Sequence, residues 1–414
     1  MAQKLRVKSR TTYGVADLNA HPPESLRRLV HRFDGRLFDI PKRRARIRLE
    51  VAEGGAWDCI AEPAGASLVA PAPNPDALLR ADAAAWEAIA RDLGSGMNAF
   101  RAGRLTVRHD LHLGVGFLVA TSGLKGPGVP AIRRVHTAAG DMSIFTAGLG
   151  EPVLLIHGLG ATKGSFLPTV AALARSFQVI ALDLPGFGDS YKPLNAAYHP
   201  PFFARAVIDL MDALGIRRAH AIGNSMGGRV ALELGLRHPD RVDRLVLLAP
   251  SLAWRRERPW APFVRALSPH LGLVQITPRW AIEAIAHRII PDAQATWLRA
   301  GVDEFLRSYL TPRGRVAFYA SARQIYLEEP HGSKGFWDKL PRLEPPALFI
   351  WGRHDGLVPI GFASHVRSAL PAARHLVLDC GHVPQIERPE ETHAAIEEFL
   401  TETRSASAAS IGVP

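Results

Sequence analysis

The pattern of apolar and polar positions changes near residue 125. Beyond it, six short and almost continuously apolar runs alternate with longer amphipathic stretches. Such runs are typical of strands in a parallel sheet that helices cover on both faces. The alternation therefore predicts an α/β fold with a mostly parallel sheet. The six runs begin at Glu151, Phe177, Arg218, Arg244, Pro346 and Ala373.

One block interrupts this alternation. Residues from about 251 to 330 contain helical stretches such as "PRWAIEAIAHRII" and "GVDEFLRSYL", no strand-like run, and four of the eight tryptophans. Open α/β sheets bind their ligands beyond the carboxyl ends of the strands. We therefore expect a helical cap over the binding site. The alternative is a helical layer that only packs.

The first part of the chain has its own pattern. "PKRRARIRLEV" from Pro41 alternates arginines with apolar residues, which predicts a strand with one buried and one solvated face. "NPDALLRADAAAWEAIARDL" predicts a helix with Asn74 as N-cap and Pro75 at its first position. The Gly- and Pro-rich stretch that follows predicts a linker over 123–130. We expect a small α+β domain over 1–122, a larger domain over 131–404 and a disordered tail over 405–414.

Composition limits the classes of partner. Cys59 and Cys380 are isolated, so neither a disulfide framework nor a metal knuckle is expected, and a cytoplasmic location is favoured. The start lacks a signal-peptide pattern, and no apolar run reaches bilayer length. The net charge of +11 could attract an anionic surface. No nucleic-acid motif is present, but weak membrane association stays open. The arginines at 255, 256 and 258 could meet lipid or acyl-CoA phosphates.

A candidate nucleophile lies in "AIGNSMGG", where Ser225 stands between Gly223 and Gly227. Gly-x-Ser-x-Gly is common by chance, but here an apolar run precedes the serine and a helical run follows it. This strand–turn–helix context is that of a nucleophile elbow, in which glycines permit a sharp turn that exposes the serine oxygen. The alternative is a glycine-rich junction without chemistry.

A serine nucleophile needs a base and a group that orients the base. Asp355 in "WGRHDGLVP" and His382 in "LDCGHVPQIERPEE" each follow an apolar run. We predict a catalytic triad of Ser225, Asp355 and His382, in which His382 moves the serine proton and Asp355 holds the imidazole. His354 is an alternative candidate for the base, because it is adjacent to Asp355. The Asp-Gly pair could also be only a turn, without a role in catalysis.

Acyl transfer also needs donors to the developing oxyanion. "HGLG" ends the first apolar run, and we assign the backbone N–H groups of Leu159 and Met226 as these donors. Further active-site loop positions are His157, Gly158, Gly160 and Asn224. His157 is interpreted as a brace of the loop. "DLPGFGDS" lacks the ending of a phosphate-binding loop, so it is assigned to the rim. No metal or organic cofactor is expected.

Five motifs carry a resemblance to a known family: "HGLG", "DLPGFGDS", "GNSMGG", "WGRHDGLVP" and "CGHVPQIERPEE". From about residue 131 to 400 the chain resembles α/β-hydrolases of the serine esterase or lipase type. A serine at the elbow argues against haloalkane dehalogenases and epoxide hydrolases. "GNSMGG" is similar to the elbow of meta-cleavage-product hydrolases, which cut carbon–carbon bonds. That group commonly has Trp where this chain has Val383, and "HGLG" is similar to the esterase form, so ester hydrolysis is preferred.

The segment from about residue 20 to 122 resembles the lipid-binding domain of sterol carrier protein 2 (SCP2). The likeness rests on a helix with a Trp-centred apolar face, then "AFRAGRLTVRHD", then an apolar helix. The family usually has Gly at the position of His109. The resemblance implies a fatty-acyl or sterol-like ligand; the alternative is a domain that only packs or dimerises.

Together these features predict a serine hydrolase of a small hydrophobic ester or thioester, with an attached lipid-binding domain. Two alternatives are kept. One is a carbon–carbon bond hydrolase of meta-cleavage products, and the other is a lipid-transfer protein whose hydrolase domain is silent.

Overall fold

The computed structural model describes residues 21–402 except 256–257, 275–277, 279, 282–283, 285–294 and 334. Two β-sheets organise this part of the chain. Its strands are β1 (Ala45–Val51), β2 (Ala56–Glu62), β3 (Gly65–Val69), β4 (Ala77–Ala81), β5 (Leu105–Arg108), β6 (Ala131–Thr137), β7 (Gly140–Ala147), β8 (Pro152–Ile156), β9 (Gln178–Leu182), β10 (Ala219–Asn224), β11 (Val242–Leu248), β12 (Ala347–Gly352) and β13 (Arg374–Leu378).

Helices cover both sheets. Those before the second sheet are α1 (Glu24–His31), α2 (Ala83–Arg91), α3 (Gly94–Arg101) and α4 (Leu111–Ala120). Those that follow are α5 (Leu167–Leu173), α6 (Pro200–Ala213), α7 (Met226–Arg237), α8 (Ala261–Ala266), α9 (Ala295–Tyr309), α10 (Pro312–Leu327), α11 (Phe336–Lys339), α12 (Phe362–Ala369), α13 (Pro384–Glu387) and α14 (Pro389–Thr401). Among the described helices, none is both long and apolar enough to cross a bilayer.

The first sheet has five strands in the order β3-β2-β1-β4-β5 and is mixed, because β1 pairs antiparallel with β2 and parallel with β4. The apolar residues of β1 are buried, as the alternation predicts. The prediction of a solvated arginine face was incomplete. Arg46 donates a 3.0 Å hydrogen bond to the fully buried carboxylate of Asp58, and Arg48 pairs with the same carboxylate. Asp58 lies opposite Arg48 on the neighbouring strand β2, and such a cross-strand partner cannot be inferred from alternation alone.

The predicted helix start at Asn74 was wrong. Residues 77–81 form β4, which lies beside β1 with Leu79 opposite Leu49. The helix begins only at Ala83, where the side chain of Asp82 accepts a 2.6 Å hydrogen bond from the N–H of Ala85. The reason is tertiary: alternating buried positions in β4 pair with an existing strand, and this pairing outweighs a local start signal.

The second sheet has eight strands in the order β13-β12-β11-β10-β8-β9-β7-β6. All six apolar runs are strands of this sheet, and they pair in parallel. Strands β6 and β7 form an antiparallel hairpin that pairs with β9, and the hydrophobic pattern did not single this hairpin out. The prediction of a mostly parallel α/β sheet is confirmed.

The block between β11 and β12 is helical wherever the structure describes regular elements in 251–330, with α8, α9 and α10 as its main helices. Most of "PRWAIEAIAHRII" and the whole of 405–414 lie outside the described residues. Helix α9 packs against β5, α3 and α4 of the N-terminal part. The block therefore lies between the second sheet and the first 122 residues.

Candidate active site

Ser225 occupies a sharp turn between β10 and α7. Its φ angle is +53°, a left-handed conformation that non-glycine residues rarely adopt. Two glycines make this turn possible. A Cβ atom on Gly223 would lie 2.2 Å from the carbonyl oxygen of Gly227, and one on Gly227 would lie 1.9 Å from that of Ile156. The backbone at the serine therefore has the strained geometry that the motif predicts.

His382 and Asp355 form a buried pair. Nδ1 of His382 lies 2.7 Å from Oδ2 of Asp355. The other carboxylate oxygen, Oδ1, accepts hydrogen bonds from the N–H groups of Leu357 at 2.8 Å and Val358 at 2.9 Å. The carboxylate is thus fixed by its own loop, and it fixes one edge of the imidazole. Nε2 remains as the ring nitrogen for proton transfer.

His354 takes no part in this arrangement. Its Nε2 lies 2.8 Å from Oδ1 of Asp379, and both side chains are exposed. The two adjacent residues His354 and Asp355 therefore point to different environments. Geometry selects His382 as the imidazole that pairs with Asp355, which the sequence left open.

Asn224 joins the serine turn to the histidine loop. Its Nδ2 donates to the carbonyl oxygen of Leu248 at 3.0 Å and to that of His382 at 3.1 Å. The side chain is buried, so both hydrogen bonds are shielded from water. Asn224 thereby holds the backbone of His382 against the end of β10.

The loop after β8 approaches the serine closely. A Cβ atom on Gly158 would lie 3.2 Å from Cβ of Ser225. Leu159 lines the same cavity as the serine. Met226 is not among the lining residues; it is the first residue of α7, where the backbone N–H has no partner within the helix. Gly160 has φ +73°, and a Cβ there would meet the ring of Phe305 at 2.6 Å.

His157 braces this loop from behind. Its Nε2 accepts a 3.0 Å hydrogen bond from the N–H of Leu184, and its Nδ1 lies 2.8 Å from the carbonyl oxygen of Gly158. Burial lowers the pKa of His157, which favours the neutral ring. Because Nε2 accepts, the single proton resides on Nδ1. This geometry agrees with the interpretation of His157 as a structural residue.

A cavity of about 530 Å³ opens above Ser225 and His382. Its walls are mainly apolar, and the cap supplies many of them. Three segments of the cap line the cavity through Trp254, Trp297, Leu298, Val302, Phe305 and Phe318. Among the described lining residues there is no lysine or arginine; Glu304 is the acidic one, and its carboxylate is paired with Arg307 at 2.7 Å. Sequence reasoning missed Glu304, and it also missed Leu111 of α4, which lines the cavity from the N-terminal part.

Two of the three cap arginines, Arg255 and Arg258, have described partners within the chain. Arg258 donates to the carbonyl oxygens of Tyr326 at 3.0 Å and Glu328 at 2.7 Å. Arg255 lies 3.1 Å from His365, and residue 256 is outside the described residues. Arg258 is therefore engaged in holding α10. Within the described part of the chain, no group of three or more His, Cys, Asp or Glu residues is placed to hold a metal ion.

Most of the second sheet matches a known protein family. Residues 151–389 match the family described as alpha/beta hydrolase fold. The chain belongs to this family. The α/β-hydrolase match begins just before β8, so the first sheet lies outside it. The likeness of the N-terminal part to SCP2 stays a prediction.

Two curated relatives come from Pseudomonas putida. A 2-hydroxymuconate semialdehyde hydrolase is 32% identical over 287 residues, which cover 66% of this chain and 95% of the relative. A dihydrolipoyllysine-residue acetyltransferase component of an acetoin cleaving system is 33% identical over 289 residues, 68% of this chain and 72% of the relative. The chain is therefore similar both to a hydrolase and to an acetyltransferase component.

Solved structures give the same fold. A bacterial membrane phospholipase A has a TM-score of 0.56 and 29% identity, and the match covers 66% of this chain and 86% of that one. A meta-cleavage product hydrolase from Pseudomonas fluorescens has a TM-score of 0.53 and 26% identity, with 65% and 97% covered. These matches leave about one third of this chain uncovered.

Proposed function

We propose that the protein is a serine hydrolase that cleaves an apolar carboxylic ester or thioester through an acyl-enzyme on Ser225. One observation carries the proposal. The strained turn of Ser225 and the 2.7 Å pair of His382 with Asp355 lie on one apolar cavity. A nucleophile, a base and an orienting carboxylate around one site are the parts that acyl transfer requires.

In the first half-reaction, Oγ of Ser225 attacks the carbonyl carbon of the substrate while Nε2 of His382 takes the hydroxyl proton. The carbonyl oxygen becomes an oxyanion, which accepts hydrogen bonds from the N–H groups of Leu159 and Met226. When the tetrahedral intermediate collapses, the bond to the leaving oxygen or sulfur breaks. His382 returns its proton to this leaving group, and the acyl group stays on Ser225.

In the second half-reaction, a water molecule attacks the acyl-enzyme and gives a proton to His382. Collapse of the new intermediate breaks the bond to Ser225, and the proton returns to Oγ. The products are the carboxylic acid and the free enzyme. Throughout, the side chain of Asp355 stabilises the imidazolium and holds its Nδ1–H in place.

The cavity favours a neutral, apolar acyl group. Its described lining has no cationic side chain, and its one acidic residue, Glu304, is paired with Arg307. A substrate carboxylate buried there would have no positive partner among the described lining residues. A cavity of about 530 Å³ has room for a medium-sized acyl group with its carbonyl at the serine.

A second candidate function is carbon–carbon bond hydrolysis of a ring-fission product. The 32% identity to a 2-hydroxymuconate semialdehyde hydrolase favours it. The substrate in that name is a carboxylate. The described lining of the cavity has no lysine or arginine that could pair with it. The third alternative is a lipid-transfer protein with a silent hydrolase domain. It does not explain why His382 and Asp355 form a hydrogen-bonded pair.

The experiment is hydrolysis of p-nitrophenyl esters of increasing acyl length by the wild type and by Ser225→Ala. We expect turnover that the substitution reduces by ~10⁴ to 10⁶. A wild type that is inactive on every ester but active on a ring-fission dienone would favour the second candidate. Equal activity in the Ser225→Ala variant would contradict both.

The N-terminal part is proposed to bind a fatty-acyl or sterol-like molecule, on its resemblance to SCP2. Binding of a fluorescent fatty acid to the full-length Ser225→Ala chain tests this. Weak association with an anionic membrane, favoured by the net charge of +11, is tested by salt-dependent binding to phosphatidylserine vesicles. A cytoplasmic location stays a prediction.

A further inference from the structure

The N-terminal segment, defined here as residues 21–122, contacts the wall of the catalytic cavity directly. Trp297 of α9 lines the cavity. The ring of Phe100 packs edge-on against the Trp297 indole, with the ring centroids 4.8 Å apart. The wall of the cavity at α9 is therefore supported from behind by a helix that the α/β-hydrolase match does not include.

A charged contact fixes the same helix. Oδ2 of Asp303 accepts hydrogen bonds from Nε of Arg108 at 2.6 Å and from the backbone N–H of His109 at 3.1 Å. Asp303 is only 5% exposed. The φ angle of His109 is +70°, a strained conformation for a residue with a Cβ atom. In this conformation the His109 N–H points towards Asp303 of α9. The fold therefore maintains this contact at some cost in backbone strain.

Arg307, one turn further along α9, joins three parts of the chain. Its guanidinium donates two hydrogen bonds to Asp189 of the rim loop, at 2.9 and 2.8 Å, and two to Glu304, at 2.7 and 3.2 Å. Asp110 of the N-terminal segment lies 3.6 Å away, and His112 lies 3.1 Å from Asp189. A bidentate pair of this kind fixes orientation as well as distance. The N-terminal segment, α9 and the rim loop are thus held together beside the cavity.

Leu111, also from the N-terminal segment, lines the cavity itself. It is the first residue of α4, and its side chain packs into the space that Gly164 leaves free. A Cβ atom on Gly164 would lie 2.8 Å from Cδ2 of Leu111. Both residues line the cavity that contains Ser225 and His382. The catalytic cavity is therefore bounded by a side chain from outside the α/β-hydrolase region.

We propose that the N-terminal segment is a working part of the active site, in which Leu111 determines the length of acyl group that the cavity accepts. This inference rests on the proposed ester hydrolysis for its kinetic readout. Leu111 does not touch the reacting atoms in this account; it acts as a wall. Shortening it lengthens the cavity, and enlarging it shortens the cavity. One methylene of fit in an apolar pocket changes kcat/KM by about 10- to 200-fold.

The first test compares kcat/KM for p-nitrophenyl butanoate and dodecanoate in Leu111→Ala, Leu111→Trp and a matched control, Leu113→Ala. Leu113 is buried on the same helix but does not line the cavity. We expect the ratio of dodecanoate to butanoate activity to rise about tenfold or more in Leu111→Ala and to fall in Leu111→Trp. The control should lose stability and keep the wild-type ratio. The same ratio in all three variants would overturn the inference.

A second measurement does not depend on ester turnover. The neutral apolar dye Nile red is titrated into the Ser225→Ala chain and into the same chain carrying Leu111→Trp or Leu113→Ala. We expect weaker dye binding only with Leu111→Trp, because the indole occupies cavity volume. If the wild type hydrolyses no ester, the proposed function fails. The titration still tests whether Leu111 forms a wall of the cavity. Equal dye affinities, or no binding by any of the three chains, would overturn the inference.

Discussion

Nε of Arg108, at the end of β5, lies 2.6 Å from a carboxylate oxygen of Asp303 on cap helix α9. The two residues are separated by 195 positions, and they join the sheet that precedes the α/β-hydrolase region to the wall of the cavity that contains Ser225. Because Asp303 is buried and Trp297 and Val302 of the same helix line the cavity, the position of this wall depends on the contact.

Arg108→Ala should therefore loosen α9. We expect KM for the preferred ester to rise by a larger factor than kcat falls. The reason is that the wall moves while Ser225, His382 and Asp355 keep their places. The loss of the hydrogen bonds to a buried carboxylate should also lower the free energy of unfolding by about 1–3 kcal/mol. Steady-state kinetics and urea unfolding measure the two effects. The control is Arg80→Ala, an exposed position on β4; a similar KM in both variants would contradict the positioning role.

Asp355→Asn should abolish most activity. The asparagine keeps the size of the side chain but removes the charge that stabilises the imidazolium of His382, so kcat should fall by ~10⁴. The matched control is His354→Ala, which removes the neighbouring side chain and its exposed contact with Asp379. We expect the control to retain wild-type kcat on p-nitrophenyl esters. A large loss in the control, with little loss in Asp355→Asn, would reverse the assignment.

Asn224→Ala should weaken both folding and catalysis. It removes the donor to two buried carbonyl groups, those of Leu248 and His382, and leaves them without this partner. The expected cost is about 1–3 kcal/mol in the free energy of unfolding, measured by urea titration. kcat should fall too, because the backbone of His382 is no longer held at the elbow. Asn195→Ala, on an exposed loop, serves as the comparison and should be near neutral.

The N-terminal sheet should lose stability in acid through Asp58. Burial acts to raise the pKa of this carboxyl, but hydrogen bonds from Arg48, Arg46 and a backbone N–H outweigh it and hold the pKa below its ordinary value. A carboxyl with a lowered pKa in the folded state stabilises above its unfolded pKa of about 3.9, and the stabilisation disappears as the pH falls through the folded value.

The stability difference between wild type and Asp58→Asn should accordingly be complete at neutral pH and shrink below about pH 4. Urea unfolding at several pH values, followed by tryptophan fluorescence, measures it. Glu53→Gln, on the exposed turn after β1, provides the comparison. A difference that grows as the pH falls would contradict the role assigned to Asp58.

The candidate catalytic residues could be proposed from sequence because each carries a local signature. Ser225 stands in a glycine-flanked turn after an apolar strand, and Asp355 and His382 each follow a strand of the same parallel sheet. The carboxyl ends of parallel strands share one edge, so the three positions converge without knowledge of the loops between them. The same reasoning proposed His382 but could not exclude His354 as the partner of Asp355, since orientation within a loop is a three-dimensional property.

The wall of the cavity was not accessible in this way. Leu111 looks like any apolar residue of a buried helix, and Arg307 like any charged residue of an amphipathic one. Their roles follow from contacts with Gly164 and Asp189 that are distant in sequence. The false helix start at Asn74 has the same origin, because the partner that converts residues 77–81 into a strand is β1, far outside a local window.

The most direct test of the account is the site of covalent modification by an alkyl fluorophosphonate, which reacts with activated serine nucleophiles. The full-length wild type, Ser225→Ala and His382→Ala are each treated, and intact mass and peptide mapping identify the modified residue. We predict one adduct on Ser225 in the wild type, none in Ser225→Ala and strongly slowed labelling in His382→Ala. An unmodified wild type, or an adduct that persists in Ser225→Ala, would contradict the assignment of Ser225 as the nucleophile.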